Sequence, residues 1–204
     1  MYPVQIQRAK GYGDIPIGIF LYQGQWQLAT ADTLYSDGKR YRPLRIAFKY
    51  LEKQLHTVKE VLALGAGLGS IVSILHSMGF APQYTLVDID EISLQWAMEL
   101  VSGDKQHHIT PVCANAEYYI ATDKNKYGLI AVDIFTGRQV PAFVISKAFL
   151  QHCRDRLKPG GFLVLNYIIT AEEEWLSLSN NFNAIFPGNK VLAYDINRIF
   201  VASV

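Results

Sequence analysis

Three glycines at alternate positions, Gly65, Gly67 and Gly69, follow the apolar run Val61-Leu62-Ala63-Leu64. They precede Ile71, Val72, Ile74 and Leu75, which fall into a helical pattern. A strand, tight turn and helix start of this kind brings bare backbone and a helix N-terminus against a ligand. A second run, Tyr84-Thr85-Leu86-Val87, ends in Asp88-Ile89-Asp90. A carboxylate at the end of the second strand, about twenty residues after the glycines, is where a ribose diol is gripped. The two signals together indicate a nucleoside cofactor. Each has a structural alternative: a plain turn for the glycines, and a helix N-cap for Asp88. Asp90 is the better cap of the two acids. The dinucleotide fingerprint would want its third glycine at position 70, which is Ser70, so an NAD-dependent enzyme is disfavoured.

Further polar residues stand at strand ends. Asn115 follows the third strand, where a side-chain amide can donate to and accept from an adenine edge, or cap the next helix. Asp133 ends the fourth strand, at the sheet edge where open α/β folds place their ligands. There it can orient or deprotonate a nucleophile or hold an ammonium group, or simply cap a loop. Asn166 interrupts the fifth buried strand, as a satisfied core residue or as part of the site floor. Most aromatics read as packing, with Tyr35 and Trp26 as candidate lids. A Ser-His-Asp spacing, a nucleophile elbow and a phosphate loop ending in Gly-Lys-Ser/Thr are all missing, which argues against a hydrolase or an NTPase. The five histidines, His107-His108 included, show no metal pattern, and Cys113 and Cys153 form neither a disulfide framework nor a metal spacing. No metal is expected, and reduced cysteines fit a cytoplasmic location.

The elements that must position these residues follow from the pattern. The chain has 204 residues, half of them hydrophobic and 18% charged, which supports a full core and excludes disorder. A net charge of +1 gives no global field for nucleic acid or acidic membranes. The local basic cluster Lys39, Arg40, Arg42, Arg45, Lys49 and Lys53 reads as a solvated helix face, with an anionic partner as the alternative. No signal peptide or membrane-spanning run is visible. Residues 1–40 read as a β-arm, with a hairpin of Ile15–Tyr22 and Gln25–Leu28 and a loop over Asp32–Gly38. Pro43 starts a helix to about His56. Strands at 58–64, 84–88, 109–113, 127–133 and 162–167 alternate with helices at 68–78, 91–101, from Ala116, and from Pro141 to about Leu157. Lys158–Gly161 reads as a turn, and Thr170 with Glu173 as a capping box for a last helix. A closing hairpin, Lys190–Asp195 and Ile199–Val204, would add an antiparallel edge. The expected class is α/β, with a mostly parallel doubly wound sheet over residues 41–204.

The residues that carry these signals resemble a known family. Val61–Ser70 with Leu86-Val-Asp-Ile-Asp90 resembles the class I S-adenosylmethionine-dependent methyltransferases, which have a Rossmann-like fold. More narrowly, Ala114–Tyr119, Tyr127–Phe135, Pro141, Phe149-Leu150, Leu157–Gly161 and Asn166 resemble the spermidine synthase-like branch. Gly24–Gln27 and Asp32–Tyr35 look like the strand and tyrosine loop before that family's core. The resemblance covers roughly residues 20–170. It implies that Gly65 and Gly67 approach the methionine part of the cofactor and that Asp88 binds the ribose. It implies that Asn115 replaces an aspartate reading the adenine amino group, that Asp133 orients the attacking amine, and that Gln27 lies near the aminopropyl group. The implied cofactor contacts are Gly65, Ala66, Gly67, Asp88, Ile89, Asn115, Ala116 and Asp133, with Gln27, Tyr35 and Thr136 on the substrate side.

Two departures bear on the reaction. Spermidine synthases carry Gly-Gly-Gly-Asp-Gly in the first turn, and Leu68 stands where that aspartate binds the aminopropyl ammonium. They also carry an acid three residues after the catalytic one, where this chain has Thr136. Losing a carboxylate that meets a buried cation costs on the order of 2–5 kcal/mol, which argues against aminopropyl transfer to putrescine. The expectation is an alkyl (methyl) transferase using S-adenosylmethionine or decarboxylated S-adenosylmethionine. Its expected partner is a small-molecule acceptor, with a homodimer left open and neither nucleic acid nor membrane expected. The alternatives are a polyamine aminopropyltransferase of polyamine biosynthesis and a non-catalytic nucleoside-binding scaffold.

Overall fold

The computed structural model describes residues 2–31, 33–101, 108–169 and 172–204. Asp32, His107 and the Thr170 half of the expected capping box lie outside them. Four strands, β1 (Val4–Lys10), β2 (Pro16–Tyr22), β3 (Gln25–Ala29) and β4 (Leu34–Ser36), form an antiparallel sheet in sequence order. The β2–β3 hairpin turns on Gln23 and Gly24, with φ of 50° and 72°. That is the left-handed pair a two-residue hairpin favours. Neither outer strand was expected. β1 is exposed along nearly its whole length and carries no alternation to read, and β4 is a three-residue strand within the stretch expected to be loop.

A second sheet has seven strands: β5 (Glu60–Leu64), β6 (Gln83–Asp88), β7 (Ile109–Cys113), β8 (Tyr127–Val132), β9 (Leu157–Ile168), β10 (Lys190–Tyr194) and β11 (Asn197–Ser203). Their order is β10-β11-β9-β8-β5-β6-β7. The five from β5 to β9 run parallel. The closing hairpin is present, but its second strand is the inner one: β11 inserts antiparallel between β9 and β10. Among the described residues, six α-helices pack around these strands: α1 (Arg42–Tyr50), α2 (Ser70–Ser77), α3 (Glu91–Leu100), α4 (Ala116–Thr122), α5 (Lys147–Arg156) and α6 (Glu172–Ile185). Successive β5 side chains face opposite layers, as the period of two requires. Val61 and Ala63 pack with Phe48 of α1 and Ile71 and Leu75 of α2. Leu62 and Leu64 pack with Ile120 of α4, Leu150 of α5 and Phe182 of α6. Both faces of the parallel sheet are therefore covered.

Three boundaries differ from expectation for local reasons. α1 stops at Tyr50, and a separate 3₁₀ turn covers Leu55–Thr57. Pro141 opens a short 3₁₀ turn at Ala142–Ile145 instead of one long helix. Ser146 then leaves helical geometry (φ −74°, ψ 145°), and its hydroxyl caps α5 by accepting from the Phe149 N–H. Lys158–Gly161 lies inside β9, where the pairing with β8 shifts register between Tyr127 and Leu129 and Gly160 takes φ 74°.

Candidate active-site cleft

The register of the parallel strands brings the polar residues to one level. Leu64 pairs with Val87 on one side and Val132 on the other. Val132 pairs with Leu165, and Asp88 with Cys113. Gly65, Asp88, Asp133 and Asn166 consequently leave the carboxyl edge side by side. Adjacent strands lie about 4.8 Å apart, so Asp88 and Asp133 flank Gly65 from either side. Strand order reverses direction between β5 and β8, the switch point at which such sheets open a crevice. A cleft of about 330 Å³ lies there, roofed in part by Tyr12, Ile17, Tyr35 and Ser36 of the arm.

The glycines have separate reasons. Gly65 (φ 85°) sits so close to the Asp133 backbone that a Cβ would fall 2.2 Å from its carbonyl oxygen. Gly67 (φ 49°) passes under the arm, where a Cβ would meet Ser36 at 3.5 Å. Gly69 (φ 71°) is the left-handed residue before α2. Asp88 braces this loop. Its Oδ2 accepts from the Ala66 and Gly67 N–H groups at 2.9 and 3.0 Å, and its Oδ1 accepts from Asp90 N at 3.0 Å. Burial pushes its pKa up, while the three backbone donors pull the other way. With three of about four acceptor positions engaged, Asp88 grips a diol through both oxygens only if the loop yields a donor.

Asp90 caps α3, as expected, by accepting from Ser93 N at 2.8 Å. Its other oxygen accepts from Tyr12 N at 2.6 Å, which ties the arm over this end of the cleft. Asn115 lines the cleft, yet its Oδ1 accepts from Glu117 N and Tyr118 N as the cap of α4. Both lone pairs are engaged, so only its NH₂ remains to meet a ligand. That suits a ring-nitrogen acceptor and not the adenine amino group that the resemblance implied. Ile89 and Ala116 also line this end.

Asp133 is the centre of a network. Its Oδ1 accepts from Asn166 Nδ2 at 2.8 Å and from the Tyr41 hydroxyl at 3.2 Å. Asn166 is buried, and its own carbonyl accepts from Asn197 Nδ2 at 2.9 Å, which fixes the amide with its NH₂ toward Asp133. Burial raises the Asp133 pKa to about 6 against the opposing pull of the two donors. Burial, followed by the Asp133 charge, holds the Tyr41 phenol well above its ordinary value, so it stays a donor. Asp133 Oδ2 has no partner among the described residues. Asn166 is thus a satisfied polar core residue, the first of its two readings: it is buried outside the cleft lining and holds Asp133 from behind.

Tyr35 closes the cleft from above, its hydroxyl accepting from Gly137 N at 2.7 Å. Thr136 lines the same end and pairs through its backbone with Gln139. Gln27 is not brought to the cleft; it is buried and donates to Asp37 Oδ1 at 2.9 Å. Trp26 is 36% exposed and lies outside the lining as well. Leu68 turns away into a cluster with Ile17, Ile19 and Leu28 of the arm and Trp96 of α3. Tyr41, Ser36, Tyr12 and Asn197 were not singled out from the sequence. Their partners are 34 to 92 residues away, Asn197 at 31, and no spacing marks them. The basic cluster is solvated in part: Lys49 pairs with Glu52 at the surface, while Arg40 folds back onto Asp37 and Tyr22. Among the described residues, no helix is long and apolar enough to cross a membrane, and no group of His, Cys, Asp or Glu could hold a metal ion.

Fold and cleft together define a Rossmann-like methyltransferase domain. The model of the methyltransferase small domain matches residues 25–194, and the chain belongs to that family. It is 28% identical over 155 residues to an eEF1A lysine and N-terminal methyltransferase homolog of Drosophila melanogaster, covering 69% of this chain and 23% of that protein. It is 26% identical over 137 residues to a polyamine aminopropyltransferase of Vibrio vulnificus, covering 63% and 46%. The chain thus spans less than half the length of these curated relatives. Among solved structures, a probable spermidine synthase from Corynebacterium glutamicum superposes with TM-score 0.79 at 15% identity, over 100% of this chain and 80% of that one. Human methyltransferase-like protein 13 in complex with SAH gives 0.67 at 22% identity, over 79% and 80%. At these identities the superpositions establish the fold, and they reach both branches that the motifs resemble.

Proposed function

We propose that the chain is an S-adenosylmethionine-dependent methyltransferase acting on a small-molecule acceptor. The carrying observation is the row Asp88, Gly65, Asp133 at adjacent strand ends beneath one cleft. A nucleoside donor laid along that row has its ribose at Asp88 and its reacting end beside Asp133. The residues fit such a donor: a glycine turn with left-handed backbone, an acid at the second strand, and the Asn115 NH₂ beyond it. Bound there, the donor supplies an alkyl group on a sulfonium, whose C–S bond breaks as the acceptor's new bond forms, the electron pair remaining on sulfur. The chain contributes alignment, worth several kcal/mol when reacting atoms are held about 3–3.5 Å apart. Asp133 Oδ2 accepts a hydrogen bond from the acceptor and takes its proton, while Asn166 and Tyr41 hold the carboxylate in place. Methyl transfer is favoured over aminopropyl transfer because Leu68 is packed into the arm, so the glycine turn presents no acid to an aminopropyl ammonium. Free Cys113 and Cys153 support a cytoplasmic location.

Aminopropyl transfer is the second reading. One observation favours it: among the described residues, the cleft is lined by Asp88, Asp90 and Asp133 and by no Lys, Arg or His, which suits a donor lacking the methionine carboxylate. Isothermal titration with S-adenosylmethionine, S-adenosylhomocysteine, decarboxylated S-adenosylmethionine and NADH separates the readings. Saturable binding of the first two, weakened by Asp88→Ala, is the expected result. Tighter binding of NADH overturns the donor class, and preference for the decarboxylated donor overturns methyl transfer. Tight donor binding without turnover on any acceptor would leave a scaffold.

A further inference from the structure

Resting on the transferase reading, we propose that the acceptor is a monoamine with an apolar, ring-sized body, seated between the β8–α5 loop and Tyr35. The placement follows from strand order. Asp133 lies one strand from Gly65, on the side away from Asp88. The segment that follows Asp133 contributes Phe135, Pro141 and Phe143 to the cleft lining, which also holds Leu44, and Tyr35 is bonded to the same segment at Gly137. Tyr35 is fixed there by Gly137 N, so this pocket has a defined roof.

Polarity sets the chemistry. Asn166 and Tyr41 occupy Asp133 Oδ1, leaving Oδ2 as the one carboxylate oxygen for a ligand. One such oxygen at the end of an apolar slot matches one ammonium or N–H group. Tyr41 is the other titratable side chain bonded to Asp133, and it remains a neutral donor. The second amine of a diamine would come to rest among Phe135, Pro141 and Phe143. Thr136 is the polar side chain that this segment adds to the lining, and an uncharged group there gives an ammonium no counter-ion. An acceptor carboxylate or phosphate fares worse, because no Lys, Arg or His lines the described cleft. Arg138 sits on the exposed tip of the loop, outside the lining.

Phenethylamine, putrescine and 3-phenylpropanoate probe these features separately: the ring with one amine, two amines without a ring, and the ring with an anion. Each is titrated calorimetrically into the protein saturated with S-adenosylhomocysteine and into the ligand-free protein. Phenethylamine is expected to bind, about ten-fold or more tighter than putrescine, with no binding of 3-phenylpropanoate. Asp133→Asn should weaken phenethylamine about thirty-fold or more, the loss expected when a buried ammonium loses its carboxylate. Phe143→Ala should weaken phenethylamine but not S-adenosylhomocysteine. The proposal is overturned if putrescine binds as tightly, if the phenylpropanoate binds, or if phenethylamine binds in neither state. Failure of the donor reading is a separate result: S-adenosylhomocysteine gives no heat, and the ligand-free titration then decides the amine pocket.

Discussion

The hydroxyl oxygens of Ser36 and Ser70 lie 2.6 Å apart, both buried, where the last strand of the arm meets the first turn of α2. Each hydroxyl depends on the other. Ser36→Ala or Ser70→Ala alone strands a buried polar group and should destabilise by roughly 1–3 kcal/mol, whereas the double variant should recover much of the loss. Urea denaturation of the four proteins measures the coupling, and simply additive losses would show that the pair contributes nothing as a pair.

Asp133 should trade stability for reactivity. Its pKa rises from 3.8 to about 6 on folding, so the folded chain holds the proton more tightly than the unfolded one. The contribution of Asp133 to stability is then greatest below about pH 4, falls as pH rises toward 6, and stays lower above it. Asp133→Asn keeps both hydrogen bonds to Oδ1 and removes the buried charge. It should gain about 2 kcal/mol at pH 7, roughly 4–8 °C in Tm for a chain of this size. Transfer should drop about 10²–10⁴-fold if Asp133 is the general base, and the wild-type rate should rise with pH through about 6. An unchanged Tm with unchanged turnover demotes Asp133 to a loop cap.

Leu68→Asp restores the acid that spermidine synthases carry but places it among Ile17, Ile19, Leu28 and Trp96. An unpaired carboxylate there should loosen the arm and cost at least about 2 kcal/mol, without conferring spermidine formation from decarboxylated S-adenosylmethionine and putrescine. The wild type should show little of that activity as well. Robust product from either protein contradicts the methyl-transfer assignment.

The glycines should not be equivalent. Gly65→Ala drives a methyl to 2.2 Å from the Asp133 carbonyl and should cost on the order of 3 kcal/mol or more. Gly69→Ala meets nothing closer than 3.9 Å and carries only the left-handed backbone penalty, about 1–2 kcal/mol. Similar thermal denaturation of the two variants would refute the distinction.

The alternating runs made the parallel sheet legible, because a strand buried on both faces reads as an apolar block whatever it packs against. Gly65, Asp88 and Asp133 were legible because strand ends follow directly from those blocks. What the sequence left hidden is set by distant partners. Tyr41 looks like any core aromatic until β8 brings Asp133 to its hydroxyl. Asn115 offers a complete amide on paper, and only the geometry of α4 shows its oxygen engaged. Gln27 alternates as a solvent-facing residue should, yet it is buried because Asp37 folds back to receive it.

Gly65 presses its backbone against that of Asp133, so the glycine loop and the end of β8 meet with no side chain between them. The arm lies across the other side of the cleft and is clasped at Asp90 by Tyr12, at Ser70 by Ser36 and at Gly137 by Tyr35. On the proposed function, the residence time of a bound donor should follow how often these three contacts release together, which would set the clock of the protein in the arm and outside its parallel sheet.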